Sequence, residues 1–91
     1  MIYVKVRWKH SFPDEPVLIC SELDRERWEV RKVEIFPSGR MGYAGPGGAI
    51  GGTGLGQEPW PSLEQIAEDP QFEPAKISKA EFDAIWAKAT A

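Results

Sequence analysis

The run IYVKVRWK, residues 2–9, alternates strictly between apolar side chains and polar or charged ones, and its period is that of a strand. A period of two puts Ile2, Val4, Val6 and Trp8 on one side of an extended chain. Tyr3, Lys5, Arg7 and Lys9 fall on the other, as a solvated face whose cations would pair with Glu29 and Glu34. HSFPDEP, with two prolines and an acidic pair, breaks the run into a loop. PVLICSEL is apolar on both sides around Leu18 and Ile19, which suits a central strand, and LDRER turns the chain. RWEVRKVEIF is a third strand whose parity slips: Trp28 and Val30 share one parity, Val33 and Ile35 the other. A bulge near Arg31–Lys32 would bring all four to one face. Pro37–Gly39 has hairpin-turn chemistry, and RMGYA returns as a fourth strand.

Past Gly56 the period becomes helical. Ser62 and Gln65 form an S-x-x-Q capping box ahead of a short helix carrying Leu63, Ile66 and Ala67 on one face, and Pro70 ends it. Ser78 and Glu81 repeat the signal, with Ile77 and Phe82 spaced for a hydrophobic staple. Phe82, Ile85, Trp86 and Ala89 then form the stripe of a helix lying on a sheet. Strands first and helices last predict an α+β domain spanning residues 1–91. Its parts are a three- to four-stranded antiparallel sheet over residues 2–45 and two C-terminal helices packed on one face. Ninety-one residues bury about two-thirds of their unfolded surface, enough for one core.

Eight of the nine glycines lie between Gly42 and Gly56, concentrated in AGPGGAIGGTGLGQ, residues 44–57. A phosphate loop of the G-x-x-x-x-G-K-[ST] type is excluded, because Thr53 stands where the lysine must be after Gly47 and Gly52. The dinucleotide pattern G-x-G-x-x-G is incomplete as well: Ile50 and Gln57 occupy the positions of its last glycine. The segment is expected to be a flexible connector from sheet to helix. The alternative is an anion or nucleotide site built from Arg40, Tyr43, Gly47, Gly48, Gly51, Gly52 and Thr53.

No catalytic set emerges. His10 is the only histidine, so no His-His metal spacing exists, and the one cysteine, Cys20, sits in an apolar run without cationic neighbours. Neither a metal nor a cofactor is expected, and the protein is read as non-enzymatic. Residues 1–40 carry eight Lys/Arg against seven Asp/Glu, and residues 41–91 carry three against seven. The net charge of −3 argues against a nucleic-acid binder and points the acidic second half toward a basic partner. No apolar run approaches the roughly 20 residues of a membrane helix, and a cytoplasmic location is expected.

YVKVRW with His10, PDEPV, SELD, EVRKVEIF followed by SGR and GYA, GGT with LG, PSLEQI after Pro59, DPQFEP and ISKAEFDAIWAKA together resemble a family of small, functionally uncharacterised bacterial domains. The resemblance covers nearly the whole chain, and GPGGAI, residues 45–50, departs from it. It implies an α+β cytoplasmic domain with no catalytic residues to carry over. Such proteins look like the immunity proteins of bacterial toxin systems, which bind and block a partner enzyme. The expected function is therefore protein binding, and Trp60, which its flanking prolines set rigidly as core plug or contact anchor, is the aromatic candidate for it. Glu64, Glu68, Asp69, Glu73, Glu81 and Asp83 would imitate a nucleic acid on a basic toxin. A homodimer through exposed strand edges is also expected.

Overall fold

The computed structural model describes residues 1–91. All four expected strands form, as β1 (Ile2–Trp8), β2 (Leu18–Leu23), β3 (Glu29–Ile35) and β4 (Met41–Gly45), each antiparallel to the next. Two more join them, β5 (Gly48–Ile50) and β6 (Phe72–Lys76), so the sheet has six strands rather than three or four. The order is β5-β4-β3-β2-β1-β6. β5 arises inside the glycine-rich segment, where three residues are too few to show a period. β6 contains Pro74, which breaks a strand signal in sequence yet is tolerated at a sheet edge. The edges a second copy would meet are therefore β5 and β6.

Both helices start where their caps predict. In α1 (Leu63–Ala67) the Ser62 and Gln65 box closes in both directions. In α2 (Lys79–Thr90) the Ser78 side chain accepts from the Glu81 amide, while the Glu81 carboxylate instead pairs with Lys5 at 3.3 Å. The two helices lie on opposite faces of the sheet, not on one.

Pairing register sets the faces, because residues opposite each other in antiparallel strands point the same way. Tyr3, Lys5, Cys20, Glu22, Arg31, Val33 and Tyr43 share the first face. There Cys20, Val33 and Phe82 are fully buried, and Tyr3, Leu18, Ile35, Ile77, Ile85 and Trp86 pack around them. Tyr3 thus lies beneath α2, its ring centroid 5.5 Å from that of Phe82, and the face expected to be solvated is half of the core. Val4, Val6, Ser21, Leu23, Glu29 and Ala44, all buried, make the second face, which α1 and residues 51–61 cover. Glu29 and Glu34 sit on this side, so they are not the partners of Lys5, Arg7 and Lys9.

The slip in β3 is real but displaced. Glu22 pairs with Arg31 and Leu23 with Glu29, which leaves Val30 as the extra residue. Trp28 then falls outside the strand and is 39% exposed, so the four apolar residues of this segment do not share a face.

Candidate functional site

On the second face an irregular segment is tied to the sheet by side-chain hydrogen bonds. After β5 the chain doubles back through Gly51 and Gly52, at φ +78° and +81°. Thr53 is buried over Gly42, so closely that a Cβ on Gly42 would stand 2.2 Å from its hydroxyl oxygen. That hydroxyl donates to Glu34 Oε1 at 2.8 Å. Lys32 Nζ donates to the Gly54 carbonyl at 3.3 Å. The Gly56 amide donates to Glu29, a carboxylate that also accepts from the Ser21 hydroxyl and pairs with Lys32 at 3.3 Å. Three strand residues, Glu29, Lys32 and Glu34, thus pin the glycine-rich segment in place.

Arg27 does the same for Pro59–Trp60–Pro61. Its φ is +72°, a left-handed conformation that a non-glycine residue adopts at a cost. In that pose its Nε donates to the Trp60 carbonyl at 2.9 Å and its Nη2 to that of Pro61 at 2.7 Å. The Trp60 amide donates back to the Arg27 carbonyl at 2.9 Å. Held from both directions, half-buried Trp60 forms one wall of a cleft of about 380 Å³, with Val6, Ile19, Ile66 and Phe72 around it. The side chain is therefore both packed and presented. Sequence reasoning named Trp60 and missed Arg27, whose role rests on a backbone twist that leaves no mark in composition.

Between Met41 and Ala75 the chain has no lysine or arginine, and five carboxylates fall between Glu58 and Glu73. Glu64 in α1 and Glu68 at its C-cap are exposed and without an ion-pair partner, but the cleft wall from this segment is made by Gln65, Ile66 and Asp69. Asp69, at the cleft rim, also accepts from the Gln71 amide at 3.0 Å, which shapes the turn into β6.

The remaining acids expected in the binding set are on the first face, already paired. Glu73 meets Lys9 at 2.6 Å, which holds its carboxyl below the usual range. Glu81 meets Lys5, and Asp83 bridges Lys79 at 2.6 Å and Arg31 at 3.1 Å. Lys79 first, then Arg31, lowers the Asp83 carboxyl. Arg31 also grips Glu22 with two bonds of 2.8 and 3.0 Å and lies 4.9 Å above the Phe82 ring and 5.1 Å from that of Trp86. The hydrogen bonds from Arg31 draw the Glu22 carboxyl down despite its burial.

The alternative ligand set is likewise divided. Tyr43, Gly47 and Gly48 line a notch of about 340 Å³ against Trp86 on the first face, while Thr53 is buried on the second with its hydroxyl already used. Arg40 donates to the Gly51 carbonyl at 2.8 Å and stacks 3.9 Å above Phe36. Gly51 and Gly52 serve the reversal after β5. Cys20 is fully buried, and desolvation pushes its thiol up to about 11, so no thiolate nucleophile is available there. No group of three or more His, Cys, Asp or Glu residues is placed to hold a metal, and no helix is long and apolar enough to cross a membrane.

A family model described as Domain of unknown function (DUF6881) matches residues 2–91. The chain belongs to this family. The DUF6881 match runs from β1 through α2, so the cleft, its Arg27 clamp and the glycine-rich segment all lie within the domain. No curated protein and no solved structure matches the chain.

Proposed function

We propose that this DUF6881 domain is a non-enzymatic protein-binding module, an immunity-type inhibitor that blocks a bacterial toxin or another enzyme with a basic surface. The observation that carries the reading is Trp60, clamped by Arg27 at the wall of an apolar cleft rimmed by Asp69, with the unpaired carboxylates of Glu64 and Glu68 exposed on the same short helical segment. A rigid aromatic anchor in an apolar pocket is the usual centre of an interface, and surrounding like charges speed and orient association with an oppositely charged partner. Glu73, Glu81 and Asp83 then serve the fold, since each is neutralised within the chain. A cytoplasmic setting agrees with a single, buried cysteine.

The alternative, an anion or nucleotide site on the glycine-rich segment, receives less support. Its one cation, Arg40, is engaged by Gly51 and Phe36, and its remaining members face opposite sides of the sheet.

The test is a capture from native lysate with wild-type protein, Trp60→Ala and Glu64→Lys/Glu68→Lys, each at low and high salt. One stoichiometric protein held by the wild type, released by salt, lost with both variants, and inhibited as the purified enzyme, supports the reading. A partner retained equally by all three proteins, or none at all, overturns it.

A further inference from the structure

A second concave site lies at the start of the sheet, outside the cleft. The loop after β1 folds back over Trp8, and Trp8, Phe12, Pro13, Asp14 and Glu15 enclose an open notch of about 390 Å³. Two features set it apart from an ordinary loop. Phe12 is 59% exposed, an arrangement that gains little from the hydrophobic effect. Yet the ring is not left to wander. The Phe12 amide donates to His10 Nδ1 at 2.9 Å, so Nδ1 carries no proton, and the proton on Nε2 is donated to the Pro16 carbonyl at 2.7 Å. The His10 ring is wedged between Trp8, at 4.4 Å, and Phe12, at 5.4 Å with the planes inclined by 28°. Trp8 is fixed from its far side by the bond from its indole N–H to Gln71 Oε1 at 3.2 Å. The notch is thus preformed rather than a collapsed tip.

Its chemistry combines two aromatic rings with two carboxylates, and neither Asp14 nor Glu15 pairs with any lysine or arginine of the chain. An aromatic ring attracts a cation through its quadrupole, and does so best when carboxylates stand at the same opening. An anion would meet repulsion here, and a neutral apolar ligand would leave both carboxylates unused. We propose that this notch is a binding site for an organic cation, an alkylammonium or guanidinium head on an apolar stem. Trp8 and Phe12 contact the stem and the diffuse charge, Asp14 and Glu15 pair with the head, and His10 positions Phe12. The site does not depend on the protein-partner reading, since it shares no residue with the Trp60 cleft.

The test is a two-dimensional amide and indole NMR titration of the full chain. The probes are tetramethylammonium chloride and N-acetyl-arginine amide, with neopentyl alcohol as neutral isostere and sodium chloride as ionic-strength control. The Trp8 indole and the amides of Phe12, Asp14 and Glu15 are expected to shift saturably with one or both cations and to stay in place with the controls. Saturation by tetramethylammonium identifies a free quaternary ammonium as a sufficient ligand, and saturation by the arginine derivative alone assigns a side-chain guanidinium. Phe12→Ala should weaken binding about 2- to 5-fold, the size of one exposed cation–π contact. Asp14→Asn/Glu15→Gln should weaken it by a similar factor without moving Phe12, and unchanged sheet resonances show that each variant folds. Equal shifts with neopentyl alcohol, undiminished affinity in the carboxamide variant, or no saturable shift with either cation overturns the proposal.

Discussion

The two faces of the sheet are covered in different ways. On the first, one regular helix lays an apolar stripe on Cys20 and Val33, with Phe82 fully buried between them and Arg31 joining Glu22 to Asp83 along the seam. On the second, a short helix and an irregular segment are held by bonds from Arg27, Glu29, Lys32 and Glu34, mostly to backbone groups. The first arrangement uses its side chains on itself. The second leaves an apolar cleft and free carboxylates at the surface. The contrast teaches that a regular helix closes its face on itself, while an irregular tethered cover leaves open surface, which the proposed function uses.

The largest effect should come from removing the centre of the first face. Phe82→Ala is expected to cost about 3–5 kcal/mol in urea unfolding, the range for a large aromatic lost from a packed core. On the second face, Gly42→Ala drives a Cβ into the Thr53 hydroxyl at 2.2 Å and against the Gly51 carbonyl at 3.0 Å. Overpacking of that kind costs about 1–3 kcal/mol, and amide exchange should quicken at Gly56 before it does in α2. Equal costs for the two substitutions would break the comparison, since the cover would then bear as much of the stability as the helix.

Acid should loosen the first face. Arg31 holds the Glu22 carboxyl below its ordinary 4.5, and Lys79 with Arg31 holds that of Asp83 below 3.8. Groups whose folded pKa is depressed contribute stability above the unfolded value and lose it as pH falls through the folded one. The melting-temperature gap between wild type and Arg31→Met should therefore be full at neutral pH and shrink below pH 4.5. A gap independent of pH would assign the role of Arg31 to its stacking on Phe82 and Trp86 alone. The smallest stability change is expected for Glu64→Gln/Glu68→Gln, within about 0.5 kcal/mol for exposed residues without partners. Partner capture should nonetheless weaken, and the drop should be largest at low salt. A marked loss of stability would mean that these carboxylates serve the fold and not a binding surface.

Patterns that repeat within a few residues were legible in the chain. The alternation of residues 2–9 specified β1, and the Ser62 and Ser78 caps marked both helix starts, because a period or a cap is complete within one segment. The stripe of Phe82, Ile85 and Trp86 likewise announced a helix lying on a sheet. What the alternation left open was which side would be covered by what: Tyr3 and Lys5 looked solvated until α2 arrived from about 75 residues away. β6 was hidden by Pro74, acceptable only because the strand ends up at an edge, and β5 by its brevity. The candidate site was legible in Trp60 and in the acids of α1. Its organiser was not, since an arginine at the end of the β2–β3 turn means nothing until its φ of +72° aims it at two carbonyls more than thirty positions away. Local periodicity and capping are written in neighbouring side chains, so the sequence determined β1 to β4 and both helices. Facing and clamping depend on contacts between segments far apart along the chain, and only the tertiary structure decided them.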